Sequence, residues 1–357
     1  LLNRRARLAQ RIGETIKDAS PIYVPGRERA IFDRLLELND GPLPDRSISI
    51  IYREIISASR ALEAPLRVSY LGPEASYAHM AAREQFGSNA EFIPVETIPN
   101  VFSSVEIAQA DYGVVPVENS SQGSVAVTLD VFVDTNLCIV SERAMEIRHC
   151  LLSKAKRRER IERVTAHPQS LAQCRRWIQN NLPGVTVTAA SSNSRAAELA
   201  RRDVGMAAIA GRLAAQKYRL NIIDEDIQDE PANYTRFAVL GREPAPPSRG
   251  GDHKTSVVLS VRDQAGVLFD VLKPYADNHI NLLRIESRPL RGRPWEYVFF
   301  IDIEGRANDA AIAEALEAIA PLCMTVKVLG SYSSFLPRGM SNNACLLYTS
   351  PSPRDRG

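Results

Sequence analysis

Four short polar stretches in the middle of the chain carry residues that could do chemistry. In Val115–Ser124 (VPVENSSQGS) an apolar run ends abruptly in Glu118, Asn119, Ser120 and Ser121, and the end of a buried strand is where α/β sheets collect ligands. Asn233-Tyr234-Thr235-Arg236-Phe237 places a hydroxyl, a guanidinium and an aromatic ring at the entrance to another apolar run. The planar donor fork of Arg236 suits a carboxylate, either that of a ligand or that of Glu118, in which case it locks the strand end. His167-Pro168-Gln169-Ser170-Leu171 follows a third short strand pattern. Tyr70–His79 (YLGPEASYAH) reads as a strand, a Gly-Pro turn and a helix capped by Ser76, whose first N–H groups are free to receive an anion. Each stretch alone is an ordinary loop or capped βα turn. Four of them at strand ends point to a polar site.

Metal chemistry is not expected. The five cysteines (Cys138, Cys150, Cys174, Cys323, Cys345) form no CxxC pair, and the five histidines form no HExxH-like cluster. An odd, scattered cysteine set reads as buried thiols in a reducing compartment, hence a cytoplasmic protein. The balance of 44 basic and 42 acidic residues, net +2, argues against a dedicated nucleic-acid binder. The local basic run Lys154–Arg160 reads as a solvated helix start. No apolar run approaches the ~18–20 residues needed to span a bilayer, so no membrane insertion is expected.

These residues must be positioned by elements, and 357 residues are too many for one ordinary core. Residues 1–63 read as helical, with Leu1, Leu8 and Ile12, then Ile31, Leu35 and Leu38, then Ile51, Ile55, Ala58 and Leu62 at helical spacing. Three helices make a thin core that calls for a partner, most simply a second copy. The chain opens inside a helix pattern without an initiator Met, so a truncated start is expected. From Pro65, short apolar strands alternate with amphipathic helices over residues 66–241, the signature of an α/β fold with room for two lobes. Residues 242–253 are a Pro- and Gly-rich linker. Residues 254–335 follow the order βαββαβ, a ferredoxin-like plan. Residues 339–357 lack periodicity and read as a disordered tail or an artefact.

The motifs GPEASYAH (Gly72–His79), GVVPVENSSQGS (Gly113–Ser124), HPQSLAQCRRW (His167–Trp177) and NYTRF (Asn233–Phe237), in that order, resemble those of prephenate dehydratase. The whole chain resembles the bifunctional chorismate mutase–prephenate dehydratase family, with Gly266-Val267-Leu268 and Glu286-Ser287-Arg288-Pro289 in the positions of its C-terminal ACT regulatory domain. The resemblance implies all-α chorismate mutase helices, then a two-lobed α/β dehydratase domain, then a ferredoxin-like ACT domain. It implies conversion of chorismate to prephenate and of prephenate to phenylpyruvate, without a cofactor, under feedback by L-phenylalanine, in a homodimer or higher homo-oligomer.

Loss of a ring hydroxyl as CO2 departs needs a proton donor, worth typically ~10² to 10⁴ in rate. The resemblance gives that role to Thr235, a weak acid that requires a network. Glu118 and Asn119 are its catalytic neighbours, and Ser120, Gln169, Arg236, Phe237 and Ser192 the substrate contacts. For the mutase, Arg5, Lys17, Arg27, Glu28 and Glu63 fall at the positions of cations and polar groups around a dicarboxylate. The family's first helix begins further upstream and donates another Arg across a dimer, so mutase activity of this chain is expected to be weak or absent. Ala75 replaces a usual glycine and is expected to keep negative φ or shift the backbone slightly. Two other readings remain open: an arogenate dehydratase, and an amino-acid sensor built on the same two-lobed fold without turnover.

Overall fold

Prolines and helical spacing divide the first part of the chain into α1 (Leu2–Thr15), α2 (Pro25–Glu37) and α3 (Asp45–Glu63). The computed structural model describes residues 2–15, 23–246, 253–262, 264–290 and 296–333; Lys17, Cys345 and residues 339–357 lie outside them. Pro25 opens α2, where its missing N–H costs nothing, and α3 packs on both α1 and α2. The apolar stripe read from the sequence is not the face that α3 buries. Ile51 and Leu62 are 45% and 47% exposed, whereas Ile56, Ser57 and Arg60 are buried. Contact with the following domain turns the helix: Ser57 Oγ accepts from the Asn89 N–H, and a Cβ on Gly87 would collide with Ser57.

The next elements are β1 (Arg67–Leu71), α4 (Tyr77–Phe86), β2 (Glu91–Val95), α5 (Ile98–Glu106), β3 (Tyr112–Asn119), the two-residue β4 (Gly123–Ser124), α6 (Ala126–Asp134) and β5 (Cys138–Glu146). The chain then crosses to a second lobe: β6 (Cys150–Ser153), β7 (Arg163–Ala166), α7 (Pro168–Gln173), α8 (Arg175–Asn181), β8 (Thr186–Ala189), α9 (Asn193–Ala200), β9 (Met206–Ala210), α10 (Arg212–Tyr218) and β10 (Asn221–Asp224). It returns through β11 (Tyr234–Gly241). The first sheet has the order β2-β1-β3-β11-β5, with β4 on β3; the second has the order β10-β6-β9-β7-β8. In the first sheet β11 inserts antiparallel between β3 and β5, although it is last in sequence.

The two connections between lobes lie side by side. The Ile147 N–H donates to the Asn233 carbonyl at 2.7 Å, and the Ile227 N–H to the His149 carbonyl at 3.0 Å.

The helical stretch after His167 is interrupted at Cys174, between α7 and α8. Two local readings are corrected. The basic run is not a helix start: Arg158 sits in one 3₁₀ turn, paired with Asp224 and stacked near the Trp177 ring. Ala75 has φ +65°, left-handed, and is 4% exposed. Its N–H donates to His79 Nδ1 at 3.0 Å, and its methyl packs into the second lobe's core, so packing and this hydrogen bond hold a conformation that usually needs glycine.

The C-terminal unit begins at Gly251. It comprises β12 (His253–Val261), α11 (Val267–Asp277), β13 (Leu282–Pro289), β14 (Tyr297–Glu304), α12 (Ala310–Ile319) and β15 (Cys323–Ser333), with sheet order β13-β14-β12-β15. This is the βαββαβ plan anticipated. Leu259, Ile301 and Ile303 pack against Val271, Tyr275 and Ile312 of the helices.

Candidate active site

β3 and β11 bring two of the sequence motifs into register, Thr235 opposite Asn119 and Arg236 opposite Glu118. Asn119 Nδ2 donates to Thr235 Oγ1 at 2.9 Å. The amide orientation follows from its surroundings. Asn119 Oδ1 accepts from the Ser121 N–H at 3.0 Å, while Nδ2 faces Asn233 Oδ1 at 3.1 Å and the Tyr234 carbonyl at 3.2 Å. A flipped amide would set oxygen against two acceptors. Because Thr235 Oγ1 accepts this bond, its own proton remains available to donate. Ser120 clamps the strand entrance: its Oγ accepts from the Tyr234 N–H at 2.9 Å and donates to the Ala232 carbonyl at 3.2 Å.

Neighbouring strand residues point to opposite sheet faces, so Glu118 and Arg236 lie across the sheet from Asn119 and Thr235. Arg236 Nη2 is 3.1 Å from Glu118 Oε2, and its Nε is 3.9 Å from Glu142 Oε2. Arg236 thus ties the strand ends together rather than facing the hydroxyl of Thr235. Phe237 is 2% exposed among core residues Met145 and Val239, so it supports the site from below and does not wall it. Ser192 Oγ accepts from the Arg195 N–H at 3.0 Å as the N-cap of α9.

A cavity of about 340 Å³ is lined by Ser121, Gln122, Gln173, Arg176, Gln228 and Asn233, with Ala172, Asp229 and Glu230. Thr235, Asn119, Ser120 and Gln169 are not among the lining residues. Thr235 connects to the wall through Asn119, whose amide contacts Asn233, and Gln173, one turn beyond Gln169 along α7, lines the cavity itself. Gln173 Oε1 lies 2.8 Å from His149 Nε2, whose Nδ1 is 2.7 Å from the Tyr77 hydroxyl. Burial holds the His149 pKa below the ordinary histidine value, opposed by the Gln173 hydrogen bond. A neutral ring that gives its Nε2 proton to Gln173 Oε1 has a bare Nδ1 for the tyrosine hydroxyl. This arrangement leaves two buried amide nitrogens, Gln173 Nε2 and Asn233 Nδ2, without a hydrogen-bond partner among the described residues. Both belong to residues of the cavity wall, where four N–H donors await an acceptor-rich ligand. Neither residue was singled out in the sequence, although both lie inside the quoted motifs.

A second cavity, of about 210 Å³, is lined by Arg5, Arg27, Glu28, Arg60 and Glu63 together with Leu8, Ala9, Val24, Ile31, Ile56 and Ser59. Four of the five residues anticipated for the mutase thus share one pocket. Burial raises the pKa of both Glu28 and Glu63. Arg60 was missed. In the C-terminal unit Gly266 has φ +85° and precedes α11, as expected of a turn glycine. The pairing of β13 with β14 sets Glu286 opposite Phe300 and Arg288 opposite Val298, but Ser287 opposite Phe299 and Ile285 opposite Ile301. Ser287, not Glu286, therefore shares the sheet face on which the helices pack. Val267 and Leu268 open α11, and Pro289 ends β13.

Among the described residues no group of three or more His, Cys, Asp or Glu is placed to hold a metal, and no helix is long and apolar enough to cross a membrane.

Helices with a charged pocket, a two-lobed α/β domain with a polar cavity at its strand ends, and a βαββαβ unit make a multidomain protein with two candidate sites and a separate C-terminal unit. Residues 1–64 match chorismate mutase type II, 68–245 prephenate dehydratase and 255–321 the ACT domain. The chain is 44% identical over 341 residues to a bifunctional chorismate mutase/prephenate dehydratase of Aquifex aeolicus, covering 94% of each. A prephenate dehydratase of Arthrobacter aurescens, solved in complex with L-Phe, superposes with TM-score 0.69 at 34% identity over 75% of this chain and 90% of its own. A quorum quenching acylase, GqqA, also superposes with TM-score 0.69, at 28% identity over 75% of this chain and 98% of its own. The chain belongs to the bifunctional chorismate mutase/prephenate dehydratase family.

Proposed function

We propose that this protein converts prephenate to phenylpyruvate, CO2 and water in the cavity walled by Gln173, Arg176 and Asn233, with Thr235 as proton donor, forms prephenate from chorismate in the pocket of Glu28, and is inhibited by L-phenylalanine through the C-terminal unit. The single observation that supports the dehydratase reading most strongly is the Asn119–Thr235 hydrogen bond. It leaves a hydroxyl proton free on a residue joined through Asn119 to Asn233, whose amide nitrogen is one of two unpartnered donors in residues of the cavity wall.

The chemistry balances without a cofactor. The electron pair of the ring-to-carboxylate bond becomes a ring double bond as CO2 leaves, and the ring C–O bond breaks. The departing hydroxyl takes the Thr235 proton and leaves as water, and solvent restores that proton. Asn233 Nδ2, Gln173 Nε2 and Arg176 are suited to hold the substrate carboxylates. Asn119 orients the donor, and the Glu118–Arg236 pair with the Ser120 clamp keeps β3 and β11 in register beneath it. Gln169, Ser192 and Phe237 act at one remove, through α7, the α9 cap and the core.

The half-exposed Leu8, Ile51 and Leu62 favour a homodimer through the helical segment, and the reading places the protein in the cytoplasm. Phenylpyruvate formation from prephenate, followed in the ultraviolet, tests the activity. Turnover of arogenate in place of prephenate, or of neither, would overturn it.

A further inference from the structure

The mutase pocket contains a cation that the dehydratase domain holds in place. Arg60, on α3, is 7% exposed. Its Nη1 lies 3.0 Å from Glu28 Oε1, and its Nη2 donates to the Phe86 carbonyl at 2.6 Å. The guanidinium also sits 5.3 Å from the Tyr23 ring centroid and 6.0 Å from that of Phe86. Phe86 is the last residue of α4, so its carbonyl belongs to the electronegative end of a helix, where a cation is favoured. Tyr23 is in turn fixed by Gln85 of the same helix, through a hydrogen bond to its hydroxyl. Two contacts of the guanidinium therefore come from the dehydratase domain, and one goes to a carboxylate that lines the mutase cavity.

We propose that Arg60 is a positioning residue of the mutase site, fixing the Glu28 carboxyl from an anchor on the dehydratase domain. The proposal rests on the mutase reading of the pocket and adds a dependence of that site on the neighbouring domain. Arg60 is not alone near Glu28: Arg53 faces it from α3, Arg143 from β5 and Arg27 from its own helix, and the buried Tyr23 hydroxyl is also close. Glu63 shares the cavity and also feels Arg27 and Arg60. Burial favours the protonated Glu28, and Arg60 is the largest opposing influence. Removing the guanidinium frees the carboxyl to sample other rotamers and to hold its proton to higher pH.

The test is the pH profile of mutase kcat/KM in the full chain, for the parent, Arg60→Gln and Arg60→Lys. Arg60→Gln is expected to move the midpoint governed by Glu28 upward by about one unit and to lower kcat/KM at the optimum about tenfold through lost orientation. Arg60→Lys keeps a charge, though not the two-sided geometry, and is expected to restore most of the midpoint but little of the rate. In a Glu28→Gln background, Arg60→Gln is expected to leave the profile where it was, which separates Glu28 from Glu63. Dehydratase turnover and thermal melting of each variant report whether it folds. A parent without mutase turnover even with the family's upstream part of the first helix fused in front of Leu1 overturns the mutase reading and this proposal with it. An active parent whose folded Arg60→Gln variant keeps its midpoint and rate overturns the proposal alone. So does a variant equally affected in the Glu28→Gln background.

Discussion

Asn119 and Thr235, separated by 116 positions in sequence, are direct cross-strand partners, and the asparagine amide donates to the threonine hydroxyl at 2.9 Å. The direction of that bond leaves the Thr235 proton free to donate, which yields a graded expectation. Thr235→Ala removes the donor and lowers dehydratase kcat by at least ~10²-fold with little loss of stability. Thr235→Ser keeps the hydroxyl and stays within about tenfold of the parent, losing only rotamer definition. Steady-state kinetics on both variants check it. Equal activity of Thr235→Ala and the parent would remove Thr235 from the mechanism.

Asn119→Asp tests the amide orientation separately. It sets a carboxylate against Asn233 Oδ1 and the Tyr234 carbonyl, both acceptors. Leaving these groups unpaired or repelled costs about 1–3 kcal/mol. A lowered melting temperature together with a loss in kcat is expected. Unchanged stability would mean that the amide sits the other way round.

His79 ties the strained Ala75 turn to pH. Its Nδ1 accepts the Ala75 N–H, its ring stacks on Tyr70 with centroids 4.6 Å apart, and burial lowers its pKa to about 4. The unfolded chain takes the proton near pH 6.5, before the folded one does. The stabilising contribution is therefore complete above that pH and is lost as pH falls toward 4, by at most about 3 kcal/mol. Melting curves between pH 7 and 4 should show a steeper acid loss for the parent than for His79→Asn, whose amide oxygen can take the Ala75 N–H without titrating. Parallel curves would show that His79 does not carry the effect.

That Asn119 and Thr235 each sit in a polar stretch was legible because polar residues interrupt two apolar runs where strands end, a local signal. Their belonging to one site followed from the family resemblance, and their direct pairing only from the sheet. The order βαββαβ was also legible locally, since each element carries its own period. What was not legible depends on distant packing. The buried face of α3 is chosen by contacts with residues 86–89, so Arg60 was overlooked in favour of the more apolar Ile51 and Leu62 stripe. Gln169 and Gln173 lie on one face of α7, four residues apart. Only the connection through His149 shows which of them reaches the cavity. The positive φ of Ala75 depends on His79 and on the second lobe, neither of which has a sequence signature.

That distinction predicts different outcomes for the two glutamines. Gln173→Leu removes an unpartnered donor from the cavity and leaves His149 Nε2 without its acceptor, and is expected to lower dehydratase kcat/KM by about 10- to 100-fold. Gln169→Ala, away from the cavity, is expected to stay within about threefold. Kinetics on the pair decide between them, and the reverse ranking would return the role to Gln169.

Gly266 sets the last expectation, for regulation. Its φ of +85° is unfavourable for any residue with a side chain, yet a Cβ built there meets nothing within 4 Å. Backbone strain, not collision, is therefore what a substitution introduces: about 1–2 kcal/mol for Ala and more for a β-branched residue. The turn into α11 relaxes to relieve that strain, moving the first N–H groups of the helix, the ones suited to a ligand carboxylate. Coupling between an effector site and a distant active site is typically ~1–3 kcal/mol, so a local change of this size is enough to offset it. Gly266→Ala is expected to weaken inhibition by L-phenylalanine several-fold and Gly266→Val to abolish it, with uninhibited dehydratase rates within about twofold of the parent. Inhibition curves at fixed prephenate measure the effect. If both variants are inhibited as strongly as the parent, phenylalanine acts somewhere other than the turn before α11.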